Sequence, residues 1–249
     1  MTNGNRQPGS DSSQAPRSAT RQSGSEVSGT LARHKAVGFG FVTLLSFLAG
    51  MTDAIGFLRA GDFLSFMSGN TTRLAIAIGE GRFDAVLRLG AIVLTFVAGN
   101  AAGVVVVRLT RNRQWPLLFI VTLVTFTAAA FAGADPSPTS YLPLVLAMGM
   151  LNAAVDNVAG HPLGLTYVTG ALSRFGKGVG RFVCGERNPG FLAQLLPWIG
   201  MLAGAVTGVL LLQAFQADAL WCVGSLAFCL TLISLTVPRS WTGNTFGLG

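Results

Sequence analysis

Two carboxylates, Asp53 and Asp156, stand near the ends of long apolar runs. A carboxylate at membrane depth costs roughly 3 kcal/mol or more unless it faces a cavity or finds a partner, so each is a candidate for ion binding or proton coupling. Each also lies close enough to a run's end to reach the interface or satisfy a helix terminus. Asn152 precedes Asp156 by four residues, so the two share one helical face, with Asn157 beside it. They could line a polar cavity or simply bond across helices. Ser68-Gly69-Asn70-Thr71-Thr72 gathers hydroxyls and an amide around a glycine, and Tyr167-Val168-Thr169-Gly170 occupies the corresponding place later in the chain. Ser68, Asn70, Thr71 and Thr169 could therefore offer oxygen to a ligand or cap the helix that follows. Arg73 and Arg174, one turn further on, are natural structural charge partners for Asp53 and Asp156.

The elements that position these residues are apolar helices. Hydrophobic residues make up 51% of the 249-residue chain and charged ones 11%, too few to cover a water-facing surface, so the chain reads as an integral membrane protein. A crossing helix needs about 20 largely apolar residues, and six runs supply them: 36–58, 87–107, 115–133, 141–158, 191–213 and 218–237. Residues 63–79 and 162–180 are shorter, broken by glycine, and carry an arginine near the middle. Residues 1–33, polar and rich in Ser, Gly and Arg, read as a disordered cytoplasmic tail with no visible signal peptide, residues 34–239 as the membrane domain, and 240–249 as a C-terminal tail.

The chain repeats itself. Gly50-Met51-Thr52-Asp53-Ala54 is echoed by Gly149-Met150-Leu151-Asn152-Ala153 at an offset of 99, and Gly99-x-x-x-Gly103 by Gly204-x-x-x-Gly208 at an offset of 105. Such paired halves with polar breaks are the sign of a transporter-like frame. Repeat one covers about 36–133 and repeat two about 141–237. Lys and Arg in short loops mark the cytoplasmic side. Six crossings with both ends cytoplasmic put Arg108, Arg111 and Arg113, the tail cations, and Arg174, Lys177, Arg181 and Arg187 all on that side. Eight crossings misplace either the tail or the Arg108–Arg113 turn. The expected fold is thus all-α, six transmembrane helices in two inverted three-helix repeats. Residues 63–79 and 162–180 then dip without crossing, tolerable only where buried in protein or lining a wet cavity; full crossing by these two stretches stays open.

Other features carry less. The glycine pairs suit close helix packing. Cys184, Cys222 and Cys229 lack ligand spacing and read as packing thiols, with no metal implied. His161 stands alone beside Pro162, and Gly176-Lys177-Gly178-Val179-Gly180 lacks the preceding strand a phosphate loop requires. No cofactor motif, activated nucleophile or close carboxylate pair appears, so an enzyme is not expected. The formal charge of +7 sits at span ends and in the tail, which topology explains without nucleic acid.

Through Asp53-Ala54-Ile55-Gly56-Phe57-Leu58, Phe63-Leu64-Ser65-Phe66-Met67-Ser68-Gly69-Asn70-Thr71 and Leu165-Thr166-Tyr167-Val168-Thr169-Gly170-Ala171-Leu172, the chain resembles the YoaK-like family of bacterial inner-membrane proteins of unknown function, over about residues 36–238. Ser68 stands where the family usually has Thr, and Leu151 where Gln is common. The resemblance implies a six-helix protein of the bacterial inner membrane and supplies no substrate. The expected function is a secondary transporter for an unknown small solute or ion, its polar site at the repeat interface; the alternative is a non-transporting scaffold or assembly partner. The partners implied are the lipid bilayer and the unknown small solute or ion, and the small size makes a homodimer plausible.

Overall fold

A computed structural model describes residues 17–111, 113–132, 138–155, 168–187 and 189–236. Their regular structure is helical: α1 (Arg17–Ala60), α2 (Met67–Gly79), α3 (Phe83–Leu109), α4 (Trp115–Ala132), α5 (Leu142–Val155), α6 (Val168–Val183), α7 (Leu195–Phe215) and α8 (Ala219–Thr236), with short 3-10 turns at Pro138–Tyr141, Pro189–Gln194 and Gln216–Asp218. The helical backbone of α1 begins inside the stretch read as a tail. Two compact units divide between Ala36 and Val37, and all the apolar helices lie in the second.

Four stretches are long and apolar enough to cross a bilayer: Val37–Ala60, Phe83–Leu109, Pro189–Phe215 and Ala219–Thr236. Trp115–Phe131 and Thr139–Ala153 are apolar but shorter. Helix α2, with 13 residues, spans only about 20 Å against a hydrocarbon core of about 30 Å. It is set off from α1 by an irregular segment, residues 61–66. That segment starts at Gly61, whose φ of +76° ends α1 in a conformation other residues adopt only at a cost. Helices α2 and α6 begin at corresponding places in the repeat, Met67 and Val168.

Of the apolar stretch of α1, 67% is buried, against 22% for α3 and for α7. Helix α1 therefore runs through the middle, and α3 and α7 turn most of their surface outward. Leu45, Leu48 and Ile55 of α1 lie in one core with Leu117 and Leu118 of α4 and Leu144 and Leu151 of α5, all fully buried.

Glycine sets the closest helix contacts, because only a missing Cβ lets backbones meet. A Cβ at Gly200, Gly204 or Gly208 of α7 would strike the carbonyls of Thr43, Phe47 and Met51 of α1, and one at Gly50 would strike that of Met201. The second set lies between α3 and α5. Gly99 and Gly103 meet the carbonyls of Leu146 and Met150, and Gly149 meets that of Phe96. These contacts are counterparts: Phe47 with Gly204 corresponds to Leu146 with Gly99, Met51 with Gly208 to Met150 with Gly103, and Gly50 with Met201 to Gly149 with Phe96, at the offsets of 99 and 105 found in the sequence. In both ladders the numbers rise together, so each pair of helices is parallel.

Helices α4 and α8 run antiparallel. Phe126 fits against Gly224 and lies 5.8 Å from Trp221, while one turn earlier in α4 and two turns later in α8 the hydroxyls of Thr122 and Thr231 meet at 3.0 Å. Each hydroxyl also lies within reach of its own helix, at Leu118 O and Ala227 O. Each carries a single proton, so one donates across the interface while the other donates to its carbonyl.

Candidate functional site

Asp53 faces the irregular segment and holds it. It lies seven residues before the end of α1, about 10 Å along the axis, and its Oδ1 accepts the backbone N–H groups of Leu64 (2.7 Å) and Ser65 (2.6 Å). Its Oδ2 accepts the Ser65 hydroxyl at 2.6 Å. The chain leaving α1 thus folds back to the depth of Asp53 before α2 starts. Carboxylate-assisted bonds are roughly twice as strong as neutral ones, which suits a break with no ladder of its own.

Asn70, also buried, completes the hold. Its Oδ1 accepts from Phe63 N at 3.2 Å and its Nδ2 donates to Phe63 O at 2.6 Å, satisfying both backbone groups of one loop residue. Capping by Asn or Thr was expected here, but the residue before α2 is Phe66, with no side-chain cap. Ser68 and Thr71 are exposed, and the Thr71 hydroxyl donates back to Met67 O.

The expected pairing of Arg73 with Asp53 is corrected. Arg73 Nη1 lies 3.0 Å from Asp62 Oδ1 and also donates to the carbonyl of Gly61. Arg88 Nε on α3 lies 2.9 Å from the other oxygen of Asp62. Asp62 is only 1% exposed and each arginine about one third, so one buried carboxylate is shared by two cations that open towards the surface. The guanidinium of Arg73 also lies 5.9 Å from the Phe57 ring centroid, within cation–π range. Asp62, Arg88 and Ser65 escaped the sequence reading. Asp62 follows a glycine at a span end, where an acid ordinarily meets water, and nothing local announces its burial.

Beside this latch lies a cleft of about 390 Å³ between α1, the 61–66 segment and α7, lined by Gly50, Ala54, Phe57, Phe63, Phe66, Met201 and Ala205 among others. Asp53 is its one ionisable lining residue, and both its oxygens are engaged with the loop. Phe57 stacks on Phe63 at 4.7 Å, and Phe63 meets Phe66 edge-on at 5.3 Å. The wall is aromatic and aliphatic. Ser68, Asn70 and Thr71 do not line it.

The corresponding place in the other crossing is bridged by a hydrogen bond. There Asn152 Nδ2 on α5 donates to Asn100 Oδ1 on α3 at 3.0 Å, and Asn100 donates to Phe96 O. The repeat sets Asp53 opposite Asn152 and Ala205 opposite Asn100, so one crossing is bridged where the other holds a cleft. Asn152 Oδ1 is buried and finds no partner among the described residues. Asp156, with Asn157, His161 and Thr166, lies outside the described residues. The expected partner of Arg174 is Asp156, outside them; within the described residues Arg174 Nε donates to Gln194 Oε1 at 2.8 Å. Thr169 is exposed on the first turn of α6.

Comparison with known proteins adds a family. Residues 41–233 match the family described as a protein of unknown function (DUF1275). The chain is 45% identical over 209 residues to "UPF0700 transmembrane protein RA0705" of Rhizobium meliloti (strain 1021), covering 84% of this chain and 91% of that relative. No solved structure matches.

Proposed function

The chain belongs to the DUF1275 family of bacterial transmembrane proteins, and on that premise we propose that it is a six-crossing secondary transporter built as an inverted repeat. The direction of the glycine ladders carries this reading. Helix α3 starts beside the end of α1, where Arg88 meets Asp62, and so runs opposite to α1. Helix α5 is parallel to α3, so α1 and α5, which correspond in sequence, point in opposite directions. The same follows for α3 and α7. Opposed halves with broken segments between them are the frame of many secondary transporters. The basic turn at Arg108–Arg113 and the basic helix α6 then share the cytoplasmic side, with both termini, in the bacterial inner membrane.

The solute site of this proposal is the cleft beside Asp53. Its lining suits a small solute with an apolar body, and Asp53 is the group through which an ion or proton couples to it. While charged, Asp53 accepts three hydrogen bonds and keeps the 61–66 segment folded against α1. Proton or cation capture weakens that hold and frees the segment that forms one wall. Glycine faces, the basis for an assembly partner, are spent on contacts inside the molecule.

Uptake by proteoliposomes holding the purified chain tests this, using a panel of small solutes with apolar bodies beside empty vesicles. Ala205→Leu fills the cleft from a half-buried position and is expected to abolish uptake without lowering the melting temperature. Absence of both uptake and any ligand-induced thermal shift across the panel overturns the transporter reading.

A further inference from the structure

A second cleft, of about 610 Å³, lies far from the Asp53 latch in the chain and has the opposite character. Arg174, Lys177 and Arg181 line it from α6, Glu186 from the segment that follows, and Gly190, Phe191 and Gln194 from the 3-10 turn leading into α7. The arginines and lysine follow at helical spacing, so one face of α6 is a stripe of cations with a single carboxylate opposite. The other face is apolar. Phe175 and Phe182 close on Phe191 at 5.7 and 6.0 Å, and Gly178 leaves the space that Phe191 enters. The Nε of Arg174 is held by Gln194, and among the described residues its terminal nitrogens have no acceptor. The side chains of Lys177 and Arg181 make no hydrogen bond or ion pair among the described residues.

Position gives the cleft its meaning. Pro189–Gln194 forms the first residues of the apolar stretch that continues through Phe215, so a cleft lined by Gly190, Phe191 and Gln194 sits at a span end, at headgroup depth. Next to the cations, Leu172, Val179, Phe182 and Val183 are exposed. Charge for a phosphate and apolar surface for a chain therefore occur side by side, as in basic pockets at the ends of membrane helices and in amphipathic interfacial helices. We propose that the α6 cleft is a binding site for an anionic phospholipid, whose phosphate is held by Arg174, Lys177 and Arg181 while an acyl chain lies along the exposed apolar face of α6.

The test uses the full chain in a neutral detergent and follows its melting temperature as short-chain phosphatidylglycerol, short-chain phosphatidylcholine or inorganic phosphate is added. A saturable rise with phosphatidylglycerol alone is expected. The Lys177→Gln/Arg181→Gln double variant should weaken it by about tenfold or more, while Arg111→Gln/Arg113→Gln, which removes the same charge elsewhere, should leave it unchanged. An equal rise with phosphatidylcholine, an equal loss in the Arg111/Arg113 control, or full binding by the α6 variant overturns the site. An equal response to inorganic phosphate shows an anion site and overturns its assignment to lipid. Should the α6 variant fail to fold, Lys177→Gln alone is scored by the same criteria.

Discussion

At the scale of single residues, the polar motif of the first half turns out to be spent on its own backbone. Asp53, Ser65 and Asn70 together satisfy four backbone or hydroxyl donors and one carbonyl of a segment that has no helix or sheet partner. Buried donors left unpaired cost about 1–3 kcal/mol each. Asp53→Ala is accordingly expected to destabilise the protein by on the order of 3 kcal/mol or more, and Asp53→Asn, whose amide oxygen still accepts, by less than half of that. Thermal unfolding in detergent ranks the two, and equal melting temperatures would contradict the latch. Asp62→Asn removes the charge between Arg73 and Arg88 and is expected to cost roughly 3 kcal/mol. The arginines can partly reach water, so Asp62→Asn should be milder than the double variant Arg73→Gln/Arg88→Gln, which strands the buried carboxylate. A reversed order in denaturation midpoints would count against that reading.

At the scale of helices, much was legible and the reasons are specific. The apolar runs appear because hydropathy is a property of composition over about 20 residues. The starts of α2 and α6 followed from the matched Ser68-Gly69 and Thr169-Gly170 pairs. The glycine pairs announced close packing, and it occurs at Gly99, Gly103, Gly204 and Gly208. What stayed hidden depends on where the loop travels after α1. Arg73 has Asp53, Asp62, Glu80 and Asp84 within about 20 residues in sequence, and only the backward fold of residues 61–66 gives it Asp62. Gly50→Ala and Gly149→Ala occupy corresponding places, each Cβ meeting a carbonyl of the partner helix. Both should destabilise by about 1–3 kcal/mol through overpacking, whereas Gly90→Ala, with open space around it, should be neutral or slightly stabilising. Melting temperatures near wild type for the first two would remove the glycine ladders from the account.

At the scale of the whole molecule, the two halves share a frame and differ where it matters. Asn100 and Asn152 bridge one crossing, while Ala205 and Asp53 leave the other with a cleft. On the proposed transporter reading, the bridged place fixes the frame and the open one takes the solute. Asn100→Ala should therefore lower stability with little effect on solute recognition, and Ala205→Leu the reverse. Paired thermal and uptake measurements separate them; equal losses in both assays for both variants would erase the distinction.

The ladders also join each half's first helix to the other half's third: α1 to α7, and α5 to α3. In time rather than in space, this means that α1 enters the bilayer long before its partner exists. About 150 residues separate Gly50 from Gly200, and at about 5–20 residues per second the ribosome takes roughly 8–30 s to supply α7. During that interval the glycine face of α1 lies open to lipid. Assembly is then an exchange between halves completed only late in synthesis, and two separately made half-chains should still assemble in the membrane, less readily than linked ones; co-purification of one half with a tag on the other checks this.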